Sequence, residues 1–543
     1  MAPSTLDLFM LTFNCAKNLI NVAVFASHLH SALSQNATGL PDIVVFSLQE
    51  VAPISYAFIG SYLLDPFYAR YEEALNLASA RILGTSLSGE GTSFLSGLHH
   101  RQEELHGNGG APGATPRKAP YTLVRAKNVG MTAILLFARD VEAFQRIDEA
   151  ECGFGAADMG NKGAVGLRVT WGSGGSSPKT AELTFVAAHL AAMEWNLKKR
   201  NANWGRIMSG LLFGNPKDAL PDVVFPAHKG GPTPDLTGDG EGNMRVLPSE
   251  EAPNTDNSVD SSEAEEDDSQ QPLLPLPHHD DIHAQLAPEH HERLQDLSVF
   301  KPSSYLFLAG DLNYRISTTT PPPGSAFPSF DPESPDYFPD FLQRDQLTQE
   351  RLAGRAFHGL SETPITFGPT YKFNVQNEAA GATNEAAVRA GAAPNGVPEV
   401  PWRFAAHRWP GWCDRVLYLD VPKWVAAQDG AAEKPAIAVR AYDALPVLRS
   451  SDHRPVFWRA SVPLLGPDAL RLPERDQAKY AADPRANLPV PIDVHAWERR
   501  AAARRREIFV GWSAFVWSTS EGALLLATLV ALGVGAWWWF SRG

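Results

Sequence analysis

The sequence predicts an α/β protein, a four-layer α/β sandwich of two packed sheets flanked by helices, with a transmembrane helix at its C-terminal end. Three observations lead there. Ten apolar runs of strand length alternate with four segments of helical length. The runs fall into two strand-rich halves, each with helices to cover an outer face, so that both faces of each sheet are buried. Residues 522–540 form a stretch of nineteen without a charge. With 543 residues, 44% of them hydrophobic, the chain can fill one large core.

The elements follow in order. A strand over 6–13, in LDLFMLTFN, delivers Asn14 at its end, and a helix is expected over 19–34. The run 42–48, in PDIVVFSLQE, ends near Glu50 and precedes a helix over 66–80. Residues 82–119 are rich in Gly and Ala and read as a surface loop. Strands over 121–127 and 131–138 come next, then GNKGAVGLRV, which sets Asn161 and Lys162 in a tight turn before a strand over 164–171. The run 182–189 ends at His189, and 194–213 reads as a helix whose WNLKKRNANW presents a basic face, solvated by preference and with lipid head groups as the alternative.

Residues 215–300 are rich in Pro, Gly, Ser and acids, lack apolar periodicity, and read as a disordered insertion. Five of its histidines, His278, His279, His283, His290 and His291, cluster without the cysteines and fixed spacing of a zinc site. Beyond it, a strand over 305–310 in SSYLFLAGDLNYRIST brings Asp311 and Asn313 to its end. After a helix over 337–353, PITFGPTYKF supplies Tyr371 and Lys372, and 375–400 is another loop. RWPGWCDRVLYL supplies Arg408, Trp412, Asp414 and Arg415 at a strand over 415–419. Strands over 436–442 and 455–462 complete the set, the second preceded by Asp452 and His453 in LRSSDHRPVF.

Polar residues that terminate or precede apolar runs lie where α/β enzymes place their sites. Acids, amides and histidines gathered there suit metal-assisted attack of water on phosphate. Mg²⁺ takes a few carboxylate and amide oxygens and keeps positions for water and substrate phosphate. Asp311 can accept a proton from the attacking water, Asn313 can help to place that water, and a cationic His453 can stabilise charge on phosphoryl oxygens. On a strand, residues two apart share a face, so Asp311 and Asn313 are expected to meet one phosphate.

Taken together, these motifs resemble the inositol polyphosphate 5-phosphatases, a branch of the superfamily that includes pancreatic deoxyribonuclease, apurinic endonucleases and bacterial sphingomyelinases. The resemblance runs from about 12 to 458. FLAGDLNYRI and PGWCDRVLY are specific to the phosphatase branch, whereas SDHRP and the strand ending in QE are shared more widely. It implies two mostly antiparallel sheets and supplies the strand order. It also implies that Asn14, Glu50 and Asp452 belong to the metal site and that Asp311 and Asn313 surround the attacking water. By the same resemblance, His453 and His189 contact the scissile phosphate, Asp414 orients His453, and Lys162, Tyr371, Lys372 and Arg408 grip the neighbouring ring phosphate. Here His407 stands where the family usually carries lysine, PGW replaces PAW or PSW, and TFN replaces tryptophan-asparagine.

Charge and cysteine content narrow the classes. The formal net charge is −14, but residues 239–268 alone hold eleven acids against Arg245, leaving the remainder near neutral. That speaks against a nucleic-acid partner, which needs a basic stripe. Cys15, Cys152 and Cys413 have no paired spacing and read as apolar fillers in a reducing compartment.

The uncharged stretch at 522–540, at ~1.5 Å per residue, covers about 28 Å, close to a bilayer core. Trp537, Trp538 and Trp539 suit the far interface, and Arg499, Arg500, Arg504, Arg505 and Arg506 precede it, so the expected orientation is cytosolic. Without a cleavable signal peptide the chain is expected to be tail-anchored. The endoplasmic reticulum is the expected membrane, because the span is short and rich in Gly and Ala; the mitochondrial outer membrane is the alternative. The organisation is thus a catalytic domain over 5–465, a tether over 466–521 with a basic cluster and an interfacial stretch at 508–517, and the anchor at 522–540.

Tethering favours a lipid head group over a soluble phosphate. The expected activity is Mg²⁺-dependent removal of the 5-phosphate of phosphatidylinositol 4,5-bisphosphate by water, without a phosphoenzyme; the 3,4,5-trisphosphate is not separated from it by sequence. The alternatives are a related nuclease or sphingomyelinase and a catalytically silent membrane scaffold recruiting unidentified partners through the acidic insertion.

Overall fold

The computed structural model describes residues 5–84, 119–172, 180–223, 225, 286–376, 400–425 and 434–542. Two sheets pack face to face. The first holds β1 (Thr5–Asn14), β2 (Ile43–Gln49), β3 (Thr122–Val129), β4 (Thr132–Ala138), β12 (Ala438–Ala444) and β13 (Val456–Pro463), in the order β12-β13-β1-β2-β4-β3. The second holds β5 (Phe144–Gly153), β6 (Gly163–Gly172), β7 (Thr180–His189), β8 (Tyr305–Asp311) and β11 (Asp414–Tyr418), in the order β11-β8-β7-β6-β5. β9 (Phe373–Val375) and β10 (Trp402–Phe404) form a small separate ribbon. Each large sheet is antiparallel except for one parallel pair, β1 with β2 and β7 with β8.

The strands β1, β2, β4, β7 and β8 read as continuous apolar runs because both faces are covered. Leu6, Leu8 and Met10 of β1 point between the sheets and meet Phe185, Phe307 and Trp458 in one core. Phe9, Leu11 and Phe13 point the other way. They meet α1 (Val22–Ser34) and α3 (Asp65–Ile82), with Phe13 beside Phe25 at 6.2 Å. The second sheet's outer face is covered by α4 (Leu197–Gly210) through Trp204, Ile207 and Met208. The four layers are therefore helix, sheet, sheet, helix. Asn21 caps α1 by accepting from the Val24 amide at 3.2 Å.

Several expectations are corrected. β5 was not expected, because in FQRIDEAECG Arg146, Asp148, Glu149 and Glu151 break up the apolar residues of an edge strand, leaving neither a continuous apolar run nor strict alternation. The helix expected over 337–353 is two, Phe338–Leu342 and Gln346–Leu352, separated where Asp345 accepts from the Thr348 amide at 2.9 Å. The basic face of 194–213 is not wholly solvated: Arg200 is buried and donates to the Met193 carbonyl at 2.6 Å. The insertion expected over 215–300 ends in a helix, Pro288–Leu297, whose Leu294 packs with Leu220 and Ile492. One buried stripe on an otherwise polar helix left little periodic signal. The acidic run 239–268 and His278, His279 and His283 lie outside the described residues.

The expected tether also contains structure. Residues Ala496–Ser518 form a helix against the folded domain, and Thr519 alone separates it from the helix Ser520–Arg542. Gly522–Arg542 is the one helix among the described residues long and apolar enough to cross a membrane, with mean hydropathy 1.8 and its apolar window unburied.

Candidate active site

The parallel pairs set the site. Parallel strands end side by side, and the register aligns Asn14 with Gln49, and His189 with Asp311. Antiparallel β11 begins where β8 ends, which puts Asp414 opposite Asp311. Both pairs finish at one edge of the sandwich, where Asn14 Nδ2 donates across the sheets to Asp311 Oδ2 at 3.0 Å. Ser451 then ties the segment before β13 to the same edge, donating to the Asn14 carbonyl at 2.6 Å and accepting from the His453 amide at 3.0 Å.

Eleven of the twelve candidate residues line one cleft: Asn14, Glu50, Lys162, His189, Asp311, Asn313, Tyr371, Lys372, Arg408, Asp452 and His453. The twelfth, Asp414, is buried behind His453, whose Nδ1 lies 2.8 Å from Asp414 Oδ2. The cleft holds about 610 Å³ of space when its open mouth is included.

Asn313 reaches the cleft by a route other than strand alternation. β8 ends at Asp311, and Asn313 is left-handed, with φ 57°. Its amide donates to Asp311 Oδ1 at 3.1 Å, and its Nδ2 donates to the Leu190 carbonyl at 3.1 Å. Glu50, with φ 46°, turns out of β2 in the same manner.

Charge is concentrated around Asp311. His189 Nε2 is 3.4 Å from Asp311 Oδ2, and His453 Nε2 is 3.9 Å from it. Lys162 Nζ lies 2.9 Å from His189 Nε2. Burial by itself would raise the Asp311 carboxyl, but His453, His189 and Lys162 outweigh burial and hold it well below the usual carboxylate range. Burial would lower the His453 imidazole, yet Asp414, Asp311 and Asp452 push it up to about 9, so it is cationic at neutral pH. Glu50 is likewise held down: burial raises it, while Lys162, His189, Lys17 and His453 lower it.

The remaining candidates are braced individually. Lys372 Nζ is 3.4 Å from Asp452 Oδ2, and Arg408 Nη1 is 3.9 Å from the buried Glu194 Oε2. The Tyr371 ring tilts against His453, with centroids 4.7 Å apart. His407 is exposed and not among the residues lining the cleft. Cys15, Cys152 and Cys413 are buried free thiols, and burial pushes the first two up to about 12 and about 11.

Four contributors had no expected role. Arg315 lines the cleft, sits 4.3 Å over the Tyr371 ring and donates to the Asn313 carbonyl at 3.1 Å. Thr370 donates to Asp414 Oδ2 at 2.8 Å, while Ser451 and Glu194 brace His453 and Arg408. Arg315, Thr370 and Ser451 lie inside the motifs around Asp311, Tyr371 and His453, which was the available signal.

Asp311, Asp414 and His453 bring ligand atoms within 4.8 Å of one another, a metal-like cluster by distance. Asp414 Oδ2 is already occupied by His453 and Thr370, however, and His453 is cationic. Glu50, an ionised carboxylate on the cleft, offers hard oxygens that fit a magnesium-type cation better, and the Asn14 Oδ1 on the same cleft, which accepts from the Ala16 amide at 3.0 Å, keeps a second lone pair for such an ion.

The family model for the endonuclease/exonuclease/phosphatase family 2 matches residues 11–459. The chain belongs to this family. Among curated relatives of this family member, the type II inositol polyphosphate 5-phosphatase 14 of Arabidopsis thaliana is 27% identical over 306 residues, 56% of this chain and 20% of that protein. The phosphatidylinositol polyphosphate 5-phosphatase type IV of Rattus norvegicus is 31% identical over 152 residues, 28% of this chain and 18% of that protein. The match thus spans about a fifth of these relatives' length. The crystal structure of a synaptojanin inositol polyphosphate 5-phosphatase domain with inositol (1,4)-bisphosphate and calcium aligns over 92% of this chain and 93% of its own, with 18% identity and a TM-score of 0.45.

Proposed function

We propose that this family member is a magnesium-dependent phosphoinositide 5-phosphatase acting on phosphatidylinositol 4,5-bisphosphate at a membrane, with its catalytic domain in the cytosol. The observation that carries the reading is the cationic His453, held by Asp414 at 2.8 Å and directed at Asp311 in a cleft that also holds Lys162, Lys372 and Arg408. These cations suit a head group with two phosphates. The curated relatives, named as inositol polyphosphate 5-phosphatases, support the substrate class.

In this reading a water oxygen attacks phosphorus in line, and the bond from phosphorus to the ring oxygen breaks, that oxygen leaving as the ring hydroxyl with a proton taken from solvent water. Asp311 orients the water and takes its proton. On its own the carboxylate is a weak base, because His453, His189 and Lys162 stabilise its charge. An arriving phosphate dianion would engage the same cations and so restore part of the proton affinity of Asp311. His453 and His189 stabilise the phosphoryl oxygens. Lys372, Tyr371 and Arg408 grip the neighbouring phosphate. Mg²⁺ held by Glu50 and Asn14, near Asp452, would supply Lewis-acid stabilisation of the transferring group. The apolar helix at Gly522–Arg542 supports membrane attachment, proposed here as a tail anchor in the endoplasmic reticulum.

The test is phosphate release with Mg²⁺ and with EDTA from phosphatidylinositol 4,5-bisphosphate, phosphatidylinositol 4-phosphate, inositol 1,4,5-trisphosphate and single-stranded DNA. Metal-dependent release from the lipid bisphosphate, with none from the 4-phosphate, is expected. Release from the 4-phosphate at a comparable rate would refute 5-specificity, and no release from any inositide would refute the phosphatase reading.

A further inference from the structure

The helix Ala496–Ser518 touches two segments that adjoin the cleft, the turn before Lys162 and the helix after Glu50. Glu507, wholly buried, accepts from the Gly160 amide at 2.8 Å, two residues before Lys162. Its carboxylate also accepts from Arg500 at 2.5 and 2.8 Å. Arg500 continues to Glu151 on β5 at 2.8 Å. Arg504 donates to the Phe58 and Ile59 carbonyls at 2.6 and 3.0 Å. Those residues end α2 (Ile54–Ile59), the helix that follows Glu50. Gly511 packs on the same spot: a Cβ there would lie 2.9 Å from Phe58 Cβ and 3.0 Å from the Ile59 nitrogen. The Tyr56 and Phe515 rings add a contact at 5.8 Å.

A loose tether has no use for these features. A buried carboxylate is tolerated only when its charge is matched and its oxygens are hydrogen-bonded, and here one partner is the backbone of an active-site loop. Gly511 lets the helix axis approach α2 closely where any side chain would hold it away. Arg499, Arg500 and Arg504, which sequence places in a basic juxtamembrane cluster, are engaged with the domain through Asp158, Glu151 and the α2 carbonyls.

We propose that the Ala496–Ser518 helix is a clasp that completes the active site, with Glu507 and Gly511 as positioning residues. Docked through them, it holds the Gly160–Lys162 turn and the end of α2 so that Lys162 stands beside His189 and Glu50 faces the cleft. Neither positioning residue lines the cleft, so their effect passes through the loops. The clasp leads through Thr519 into the apolar helix, so one continuous segment carries both the proposed anchor and the shape of the site. The functional half of this inference rests on the phosphatase reading above.

Two variants of the full-length protein test it, Glu507→Ala and Gly511→Ala, the second altering no charge. Hydrogen–deuterium exchange needs no substrate: amides of 160–162 should exchange at least tenfold faster in both variants, while those of β1 stay at the wild-type rate. Turnover of soluble inositol 1,4,5-trisphosphate with Mg²⁺ should show kcat at least tenfold lower and KM within about threefold of wild type. A merely structural helix would lower the active fraction according to stability and leave exchange at 160–162 no faster than elsewhere. Unchanged exchange at 160–162 overturns the clasp, as does kcat within twofold of wild type despite faster exchange. If the wild-type protein releases no phosphate, the phosphatase reading fails, while exchange still decides whether the helix holds the turn.

Discussion

At the residue scale, the proposed chemistry concentrates in the line Asp414, His453, Asp311. Replacing His453 or Asp311 by Ala should lower turnover by about 10²–10⁴-fold, the usual worth of a positioned acid or base, with the circular dichroism spectrum unchanged. A variant retaining near-normal turnover would refute the mechanism. Asp414→Asn should keep the packing but remove the charge that raises His453 most among its neighbours. Because the folded imidazole titrates near 9, the cation persists through neutrality and is lost as pH rises through about 9. Any stability it contributes has the same sign, full below the ordinary histidine range and declining towards pH 9. The rate should therefore fall on the alkaline side near pH 9, and in Asp414→Asn that limb should move to lower pH, as a pH–rate profile would show.

At the element scale, the site depends on how closely β7 and β8 approach. Gly310, one residue before Asp311, has no room for a side chain: a Cβ would lie 2.0 Å from the Ala188 carbonyl oxygen. Gly310→Ala should cost about 1–3 kcal/mol in urea unfolding and lower turnover by displacing Asp311. Arg415, the first residue after Asp414, is buried and bonds Glu362 at 2.6 Å and Asp345 at 2.9 Å, which ties β11 to the helix Gln346–Leu352. Arg415→Met would strand two carboxylates, at a cost of about 3–5 kcal/mol measurable by the same unfolding experiment.

At the scale of the whole molecule, the interface between the sheets sets rigidity and the apolar helix Gly522–Arg542 carries the proposed membrane attachment. Trp458 sits in the central core, 5.8 Å from Phe307 and 5.1 Å from Tyr418 by ring centroids. Trp458→Ala should cost about 3–5 kcal/mol, seen as an earlier denaturation midpoint with most of the secondary structure retained below it. Deleting 520–542 should release the protein from membranes in a flotation assay and leave turnover of a soluble inositol phosphate near wild type. Continued flotation would refute that segment as the anchor.

The sequence by itself determined the four-layer fold and its principal strands, because two-sided burial imposes apolar runs on β1, β2, β4, β7 and β8 whatever their partners. It also placed the polar residues that terminate those runs, since strand ends are where backbone and side chains leave the core. Tertiary structure alone decided the rest. That Asn14 and Asp311 meet follows from two sheets packing with both parallel pairs ending at one edge, a contact across 297 positions that local patterning does not encode. Arg315, Thr370 and Glu194 are ordinary polar residues until their partners arrive. The docked helix was hidden for the same reason: its apolar face is too narrow to leave a period, and the buried charge of Glu507 becomes legible only beside Arg500 and the Gly160 amide.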